Sequence, residues 1–270
     1  MRTVFYISDG TGITSETLGR SLLTQFDTTN FQEVRIPFLD SAEKAAAARL
    51  QIDAATQTDG GRALVFNTVV DPKVSSVLAA SEGLVIDLFG QFLPVLESEL
   101  QSKSVQAVGK AHGIGNKKSY DARISATNYA LSHDDGVSTN YQDSDVILVG
   151  VSRSGKTPTC LYLALHYGVR AANFPLTEDE LNGGSAPQAL MRYRHKLFGL
   201  TITPSRLHSI REKRRPGSRY ASSRRCSQEV AEAEMLFKSR RIPFADTTDS
   251  SIEEIASRIL VALDLEKHFF

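Results

Sequence analysis

Two spacings of apolar residues alternate along the first hundred positions. Residues 3–8 (TVFYIS) are a β-branched and aromatic run closed by the turn signal Asp9-Gly10. Over 13–26, Leu18, Leu22 and Phe26 fall four apart, which predicts a helix with those three on one face, weakened by Gly19. Residues 33–38 predict a strand, 42–55 an alanine-rich helix, and 63–70 and 84–88 further strands. Between the last two a short helix opens at Pro72, whose missing N–H is no loss in a first turn. The order β-α-β-α-β-α-β predicts a parallel sheet covered by helices.

The pattern lapses over 102–118, a stretch with three glycines and no apolar period, read as a loop or connection. Residues 120–132 regain helical spacing, with Ile124, Asn128 and Leu131 on one side. A second α/β unit follows. It has a strand at 145–149, a helix at 156–167, a strand at 197–203, and helices at 204–214 and 227–240. The helix at 227–240 carries Val230, Ala233, Glu234 and Phe237 in register. After a last strand at 242–245 comes a helix capped by Ser250, with Glu253 three residues on and Ile252, Ile255, Ile259 and Leu263 as its core stripe. No internal repeat is visible.

Composition narrows the function classes. Of 270 residues 41% are hydrophobic, enough for a sizeable core, and Lys plus Arg equals Asp plus Glu at 31 each. No global field therefore favours nucleic acid or membrane. The two cysteines, Cys160 and Cys226, lie far apart and lack the spacing of a zinc site. The N-terminus enters a strand-like run at once, and no apolar run reaches the 18 or so residues that span a bilayer. These features predict a cytoplasmic protein.

One motif carries chemistry outright. Gly150-Val151-Ser152-Arg153-Ser154-Gly155-Lys156-Thr157 matches G-x-x-x-x-G-K-[ST] at every specified position. The glycines let the backbone curl so that N–H groups point at phosphate oxygens, and the following helix aims its positive end at the same anion. Lys156 reaches the terminal phosphates, and the Thr157 hydroxyl serves Mg²⁺. Pro158 suits the first helical turn. The fold class is thus α/β. An N-terminal parallel-sheet domain (1–105) and a connecting segment with a helix (106–140) precede a P-loop-containing, kinase-like domain (141–270) for nucleotide binding and phosphotransfer.

Such an enzyme also needs a carboxylate for the metal or the nucleophile's proton. His133-Asp134-Asp135-Gly136 lies just before the P-loop strand and reads either as catalytic groups or as a helix end and turn. Asp87 ends an apolar strand like a Walker B acid, but upstream of the P-loop. Asp9-Gly10-Thr11-Gly12 reads as an anion-binding turn or a plain strand-to-helix turn. Between Arg192 and Arg225 stand eleven Lys or Arg residues and one acid, Glu212. This segment is either a solvated face or a docking surface for phosphate or an acidic partner. Aromatic residues for base stacking are sparse there, which disfavours nucleic acid.

Several stretches resemble one family: Phe5 to Thr11 (FYISDGT), Tyr120 to Ile124 (YDARI), Ala130 to Gly136 (ALSHDDG), Gly150 to Thr159 (GVSRSGKTPT), Arg170 to Pro175 (RAANFP), His195 to Thr201 (HKLFGLT) and Ser218 to Ser222 (SRYAS). They are similar to the bacterial phosphoenolpyruvate synthase regulatory proteins, relatives of the regulators of pyruvate, phosphate dikinase. The resemblance spans nearly the whole chain. It implies a bifunctional enzyme that phosphorylates a threonine of the synthase with ADP, releasing AMP, and removes that phosphate with inorganic phosphate, yielding pyrophosphate. It implies the synthase as partner, docked on the basic segment through Arg211, Lys213, Arg214 and Arg215, and ADP and phosphate as substrates with Mg²⁺. The candidate catalytic groups remain those the residues themselves offer, Lys156 with Asp134 or Asp135, and His133 beside them. A P-loop kinase for a small molecule is the alternative, and a non-catalytic nucleotide- or RNA-binding module a third reading. Homo-oligomerisation stays open.

Overall fold

The computed structural model describes residues 1–26, 30–105, 107–108, 117–138, 140–182 and 188–265, which fall into two compact units, Met1–His112 and Gly113–Phe270. In the first unit the strands are β1 (Arg2–Ile7), β2 (Phe31–Ile36), β3 (Leu64–Asn67) and β4 (Leu84–Asp87), and the helices α1 (Ile13–Leu23), α2 (Ala42–Thr58), α3 (Pro72–Ala79) and α4 (Leu88–Leu100). The sheet is parallel throughout, in the order β2-β1-β3-β4. Alternate residues of its central strands feed two cores, as the period of two requires. Phe5, Ile7 and Val65 pack with Ala45, Ala48 and Ile52 of α2 and with Val74 and Leu78 of α3. On the other face Val4, Tyr6, Leu64 and Phe66 pack with Leu88 and with Leu18 of α1.

Two expectations are corrected in this unit. Helix α1 ends at Leu23 and buries Ser15 and Gly19, while Leu22 and Phe26 are exposed. A Cβ on Gly19 would come within 2.7 Å of both the Tyr6 and the Phe66 rings, so the glycine that weakens the helix lets it lie directly on the sheet. Helix α4 was not foreseen, because Gly90 and Pro94 depress helix propensity. It starts nonetheless, since the Asp87 carboxylate accepts the Gly90 N–H at 2.8 Å as its N-cap.

The second unit has strands β5 (Val146–Val151), β6 (Ala171–Leu176), β7 (Leu197–Thr201) and β8 (Phe244–Asp246). Its main helices are α5 (Lys117–Ser132), α6 (Lys156–Tyr167), α9 (Pro204–Arg214), α10 (Ser223–Arg240) and α11 (Ile252–Ala262), with two short ones, α7 (Glu178–Asn182) and α8 (Gln188–Met191), after β6. The strands are again parallel, in the order β6-β5-β7-β8. Strand β5 is buried at every position, the continuous apolar run of a sheet covered on both sides. Its Ile147, Val149 and Val151 face Leu207 of α9 and Val230, Ala233 and Phe237 of α10. Val146 and Leu148 face Ala126 and Ala130 of α5, Leu163 of α6 and Ile255 and Ile259 of α11.

Of the expected loop over 102–118, residues 106 and 109–116 lie outside the described residues, and helix α5 already begins at Lys117. Its buried face is the small pair Ala126 and Ala130; Ile124 and Leu131 are exposed. Strand β6 was not foreseen, because Ala-Ala-Asn-Phe-Pro-Leu has poor strand propensity. It forms at the edge of the sheet, where Pro175 is tolerated. The cap of α11 is Ser251, accepting from Glu254 N at 3.2 Å, one residue beyond the expected Ser250; the repeated Ser-Ser and Glu-Glu offer the same spacing in either register. Among the described residues no helix is long and apolar enough to cross a membrane.

Candidate active site

Strand β5 runs into the loop at 150–157, and α6 starts directly behind it, the strand-loop-helix setting the motif requires. Gly150 has no room for a side chain, since a Cβ would collide with the Leu200 carbonyl oxygen of β7. Gly155 is in the left-handed region (φ 88°) as N-cap of α6 and offers no side-chain cap, so the first N–H groups of that helix keep their donors for a ligand. Arg153 is also left-handed (φ 76°), a strained conformation for a residue with a side chain. Outer contacts hold the loop in this form. Arg211 Nη2 donates to the Ser152 carbonyl at 3.1 Å, Thr247 Oγ1 to the Ser154 carbonyl at 3.2 Å, and the hydroxyls of Ser152 and Tyr220 meet at 2.9 Å.

The loop borders a cavity of about 260 Å³ lined by Asp135, Ser152, Arg153, Gly155, Lys156, Thr157 and Pro158. Lys156 is 4% exposed and turns its Nζ back onto the Val151 carbonyl at 2.9 Å. Burial pulls its pKa down to about 8, with the Asp135 charge opposing the shift. A phosphate placed in the cavity would add a further counter-charge to those of Asp135 and Asp134. The Ser154 hydroxyl is buried without a partner beneath the same loop.

Asp134 and Asp135 arrive from the 3₁₀ turn Asp134–Gly136 that closes α5, with Asp135 held at φ 48°. Thr157 Oγ1 donates to Asp134 Oδ1 at 2.9 Å. The connection is completed by Asn173, a fully buried residue of β6 that lies opposite Leu148 of β5 in the ladder. Its Nδ2 donates to Asp134 Oδ1, to Asp135 Oδ1 at 3.3 Å and to Thr157 Oγ1 at 3.1 Å. That amide orientation follows from chemistry, because only the nitrogen can donate to a carboxylate. Asn173 Oδ1 is buried with no partner. One hydroxyl and one carboxylate side by side are hard oxygen donors of the kind Mg²⁺ takes when phosphates and waters fill its other positions. Among the described residues no group of three or more His, Cys, Asp or Glu gathers into a metal site.

The other candidates fall elsewhere. The His133 ring stacks on Tyr129 at 3.9 Å, with Nδ1 3.0 Å from the Tyr129 carbonyl; its backbone carbonyl, not its ring, meets the Asn173 N–H. Asp87 caps α4 on the first sheet, so it is not on the sheet that carries the loop. Asp9 accepts the Val70 N–H at 2.7 Å and ties two loops of the first unit together. Arg211, expected on a docking surface, is 0% exposed. Its guanidinium pairs with Glu229 at 2.7 Å, donates to the Tyr220 carbonyl at 3.1 Å and stacks on the Tyr220 ring at 4.2 Å. It is an internal prop of the loop. Lys213, Arg214 and Arg215 beside it are exposed. Asn173 was missed as a site residue because its strand was missed; only its place in the RAANFP stretch marked it.

Residues 4–260 match the sequence model of the kinase/pyrophosphorylase family. The chain belongs to that family. Membership places it among the transferases. Similar proteins bear the name phosphoenolpyruvate synthase regulatory protein. One from Hahella chejuensis is 51% identical over 268 residues, 99% of this chain and 98% of the relative. Relatives from Xanthomonas campestris pv. campestris and Stenotrophomonas maltophilia are each 53% identical over 270 residues, covering 100% of this chain and 99% of theirs.

Proposed function

We propose that this kinase/pyrophosphorylase regulates phosphoenolpyruvate synthase in both directions at the single loop 150–157. It phosphorylates a threonine of the synthase with ADP, which inactivates it, and removes that phosphate with inorganic phosphate, which restores it. The observation that carries the reading is the intact phosphate loop, with Lys156 and Thr157 at its helix end and a carboxylate on Thr157, in a chain whose relatives are named for that synthase.

In the forward direction the loop N–H groups and Lys156 hold the diphosphate of ADP. The threonine oxygen bonds to the β-phosphorus as the bridging P–O bond breaks, AMP leaves, and the hydroxyl proton passes to Asp135 at the cavity wall. In the reverse direction inorganic phosphate takes the place of the AMP phosphate. Its oxygen bonds to the phosphothreonine phosphorus, the P–O bond to threonine breaks, the carboxyl proton returns to the threonine oxygen, and pyrophosphate leaves. Thr157 and Asp134 would hold Mg²⁺, which supplies neutralisation of phosphate charge. Asn173 fixes the Asp134 carboxylate against Thr157, and Arg211 and Tyr220 hold Ser152 in place. The exposed Lys213, Arg214 and Arg215 form the docking face for the synthase.

The test is incubation with the synthase and labelled ADP, followed by phosphate. Label on a synthase threonine, then its release as pyrophosphate, is the expected result. Transfer to a small acceptor with ATP, and none to the synthase, would replace this reading with that of a metabolite kinase.

A further inference from the structure

A second cavity, of about 390 Å³, lies beside the phosphate loop, and Ser152 lines both it and the loop cavity. Its walls include Pro175 and Leu176 from the end of β6, Thr177 and Glu178 after it, Arg219 and Tyr220 from the segment between α9 and α10, and Arg225 in the first turn of α10. We infer that this cavity receives the hydroxyl-bearing segment of the protein substrate and presents its hydroxyl to the phosphate at Ser152. The inference rests on the protein-phosphorylating function proposed above and names where the acceptor of that reaction sits.

Three observations favour an acceptor segment over the nucleoside of ADP. Pro175 and Leu176 give the cavity an apolar wall, accompanied by five charged side chains, Arg211, Arg219, Arg225, Glu178 and Glu229, the mixed make-up of a surface that takes a polypeptide segment. Its one aromatic ring, Tyr220, has the Arg211 guanidinium stacked on it at 4.2 Å. Finally, the residue shared with the loop cavity is Ser152, early in the loop, and not Pro158 at the helix end. An acceptor must approach the transferred phosphoryl group in line, from the side away from the leaving group, so it needs a compartment of its own that opens on the phosphate. The threonine oxygen forms its bond to phosphorus there while the bridging bond to AMP breaks on the far side, and the hydroxyl proton goes to Asp135, which lines the loop cavity.

The cavity also suits the phosphorylated form of that segment. The Glu178 carboxylate lies 3.1 Å from Arg225 Nη1 and 3.6 Å from Arg219 Nη2, so two guanidinium groups already converge on one anionic group. A phosphothreonine entering for phosphorolysis carries the charge those two arginines bind, and it competes with Glu178 for them. Arg219 is 86% exposed at its side chain, free to swing onto an incoming phosphate, while Arg225 is fixed by Glu229 at 2.7 Å.

Two variants of the full-length chain test this. Thr177→Trp fills the cavity from an exposed wall position, and Arg219→Glu reverses the charge of its rim. Each is assayed for ADP binding by calorimetry and for KM with intact phosphoenolpyruvate synthase, unphosphorylated and phosphorylated. The expected result for Thr177→Trp is ADP affinity within about twofold of the unaltered chain and a KM for the synthase raised at least tenfold. For Arg219→Glu, KM should rise more for the phosphorylated synthase than for the unphosphorylated one, with Arg219→Lys restoring it. A parallel loss of ADP affinity in Thr177→Trp would put the nucleoside in the cavity, and unchanged KM values in both variants would leave it without a substrate; either overturns the inference. If the unaltered chain transfers nothing from ADP to the synthase, the proposed function fails first and this inference with it, and that control is read before any variant.

Discussion

The two units of this protein share one plan and use it differently. Each sheet is parallel, with its first strand in the centre between the second and third and the fourth beyond the third. Each first strand feeds a loop that ends in a left-handed glycine, Gly12 (φ 82°) or Gly155 (φ 88°), and each glycine N-caps the next helix without a side-chain bond. The side chains then diverge. Lys156 and Thr157 follow Gly155, and Thr157 meets Asp134 and Asn173. Ile13 and Thr14 follow Gly12, and the loop's carboxylate, Asp9, is bonded to the Val70 N–H. The turn that suits an anion therefore comes with the topology. A phosphate site needs in addition a cation over the turn and the acidic group moved aside to serve a metal.

The sharpest way to break this comparison is to exchange the roles at the helix starts. Lys156→Ala should lower both threonine phosphorylation and phosphorolysis by about 10²–10³-fold, the effect of deleting a charge-stabilising group at the reacting phosphate. Ile13→Ala, at the matching place in the first unit, should leave both rates unchanged. Loss of only the ADP-dependent activity in Lys156→Ala would mean that the two reactions do not share a loop. Next in size is Asn173→Leu, which removes the group holding Asp134 on Thr157. Metal affinity should fall by about 10–100-fold, read by titration with Mn²⁺ followed by EPR and by the Mg²⁺ concentration for half-maximal activity. Unchanged metal affinity would make Asn173 a packing residue only.

Two glycine substitutions separate scaffold from site. Gly19→Ala drives a methyl into Tyr6 and Phe66 and should destabilise the first unit by about 1–3 kcal/mol in urea unfolding, with phosphate binding retained. Gly155→Ala meets no neighbour but must hold a left-handed φ, at about 1–2 kcal/mol, and it should also lose phosphate binding. Equal phosphate affinity in both variants would show that the Gly155 turn is not the anion site. The smallest effect belongs to the outer surface. Charge reversal at Lys213, Arg214 and Arg215 together should raise KM for the synthase by about three- to tenfold at low salt, and less at high salt. No change at low salt would place the docking face elsewhere.

Much of the fold was legible because strands here are short runs of β-branched and aromatic residues between turn signals, as in β1 and β5. The buried faces of α1 and α5 were misread for one physical reason. Both helices approach their neighbours through small residues, Ser15 and Gly19 or Ala126 and Ala130, so Leu22 and Phe26 of the first stripe and Ile124 and Leu131 of the second point to solvent, while Leu18 packs at the edge of the core. Strand β6 escaped because Asn173 and Pro175 serve site and edge, not strand propensity. Arg211 escaped because its neighbours in the chain are exposed cations, while its partners Ser152, Tyr220 and Glu229 are supplied by other elements.

From the residues alone came the alternation of strands and helices, the parallel sheets it requires, and a phosphate loop at 150–157, since each depends on spacing within one short segment. Tertiary structure decided that Asp134 and Asn173, 39 positions apart, meet on Thr157. It decided that one arginine of a basic stretch is an internal prop, and that two units with no visible sequence repeat share one strand order. Those outcomes depend on which distant groups share a buried polar cluster or an apolar face. The free energy that selects them arises from burying and pairing groups from several elements at once, and no local window of the chain contains it.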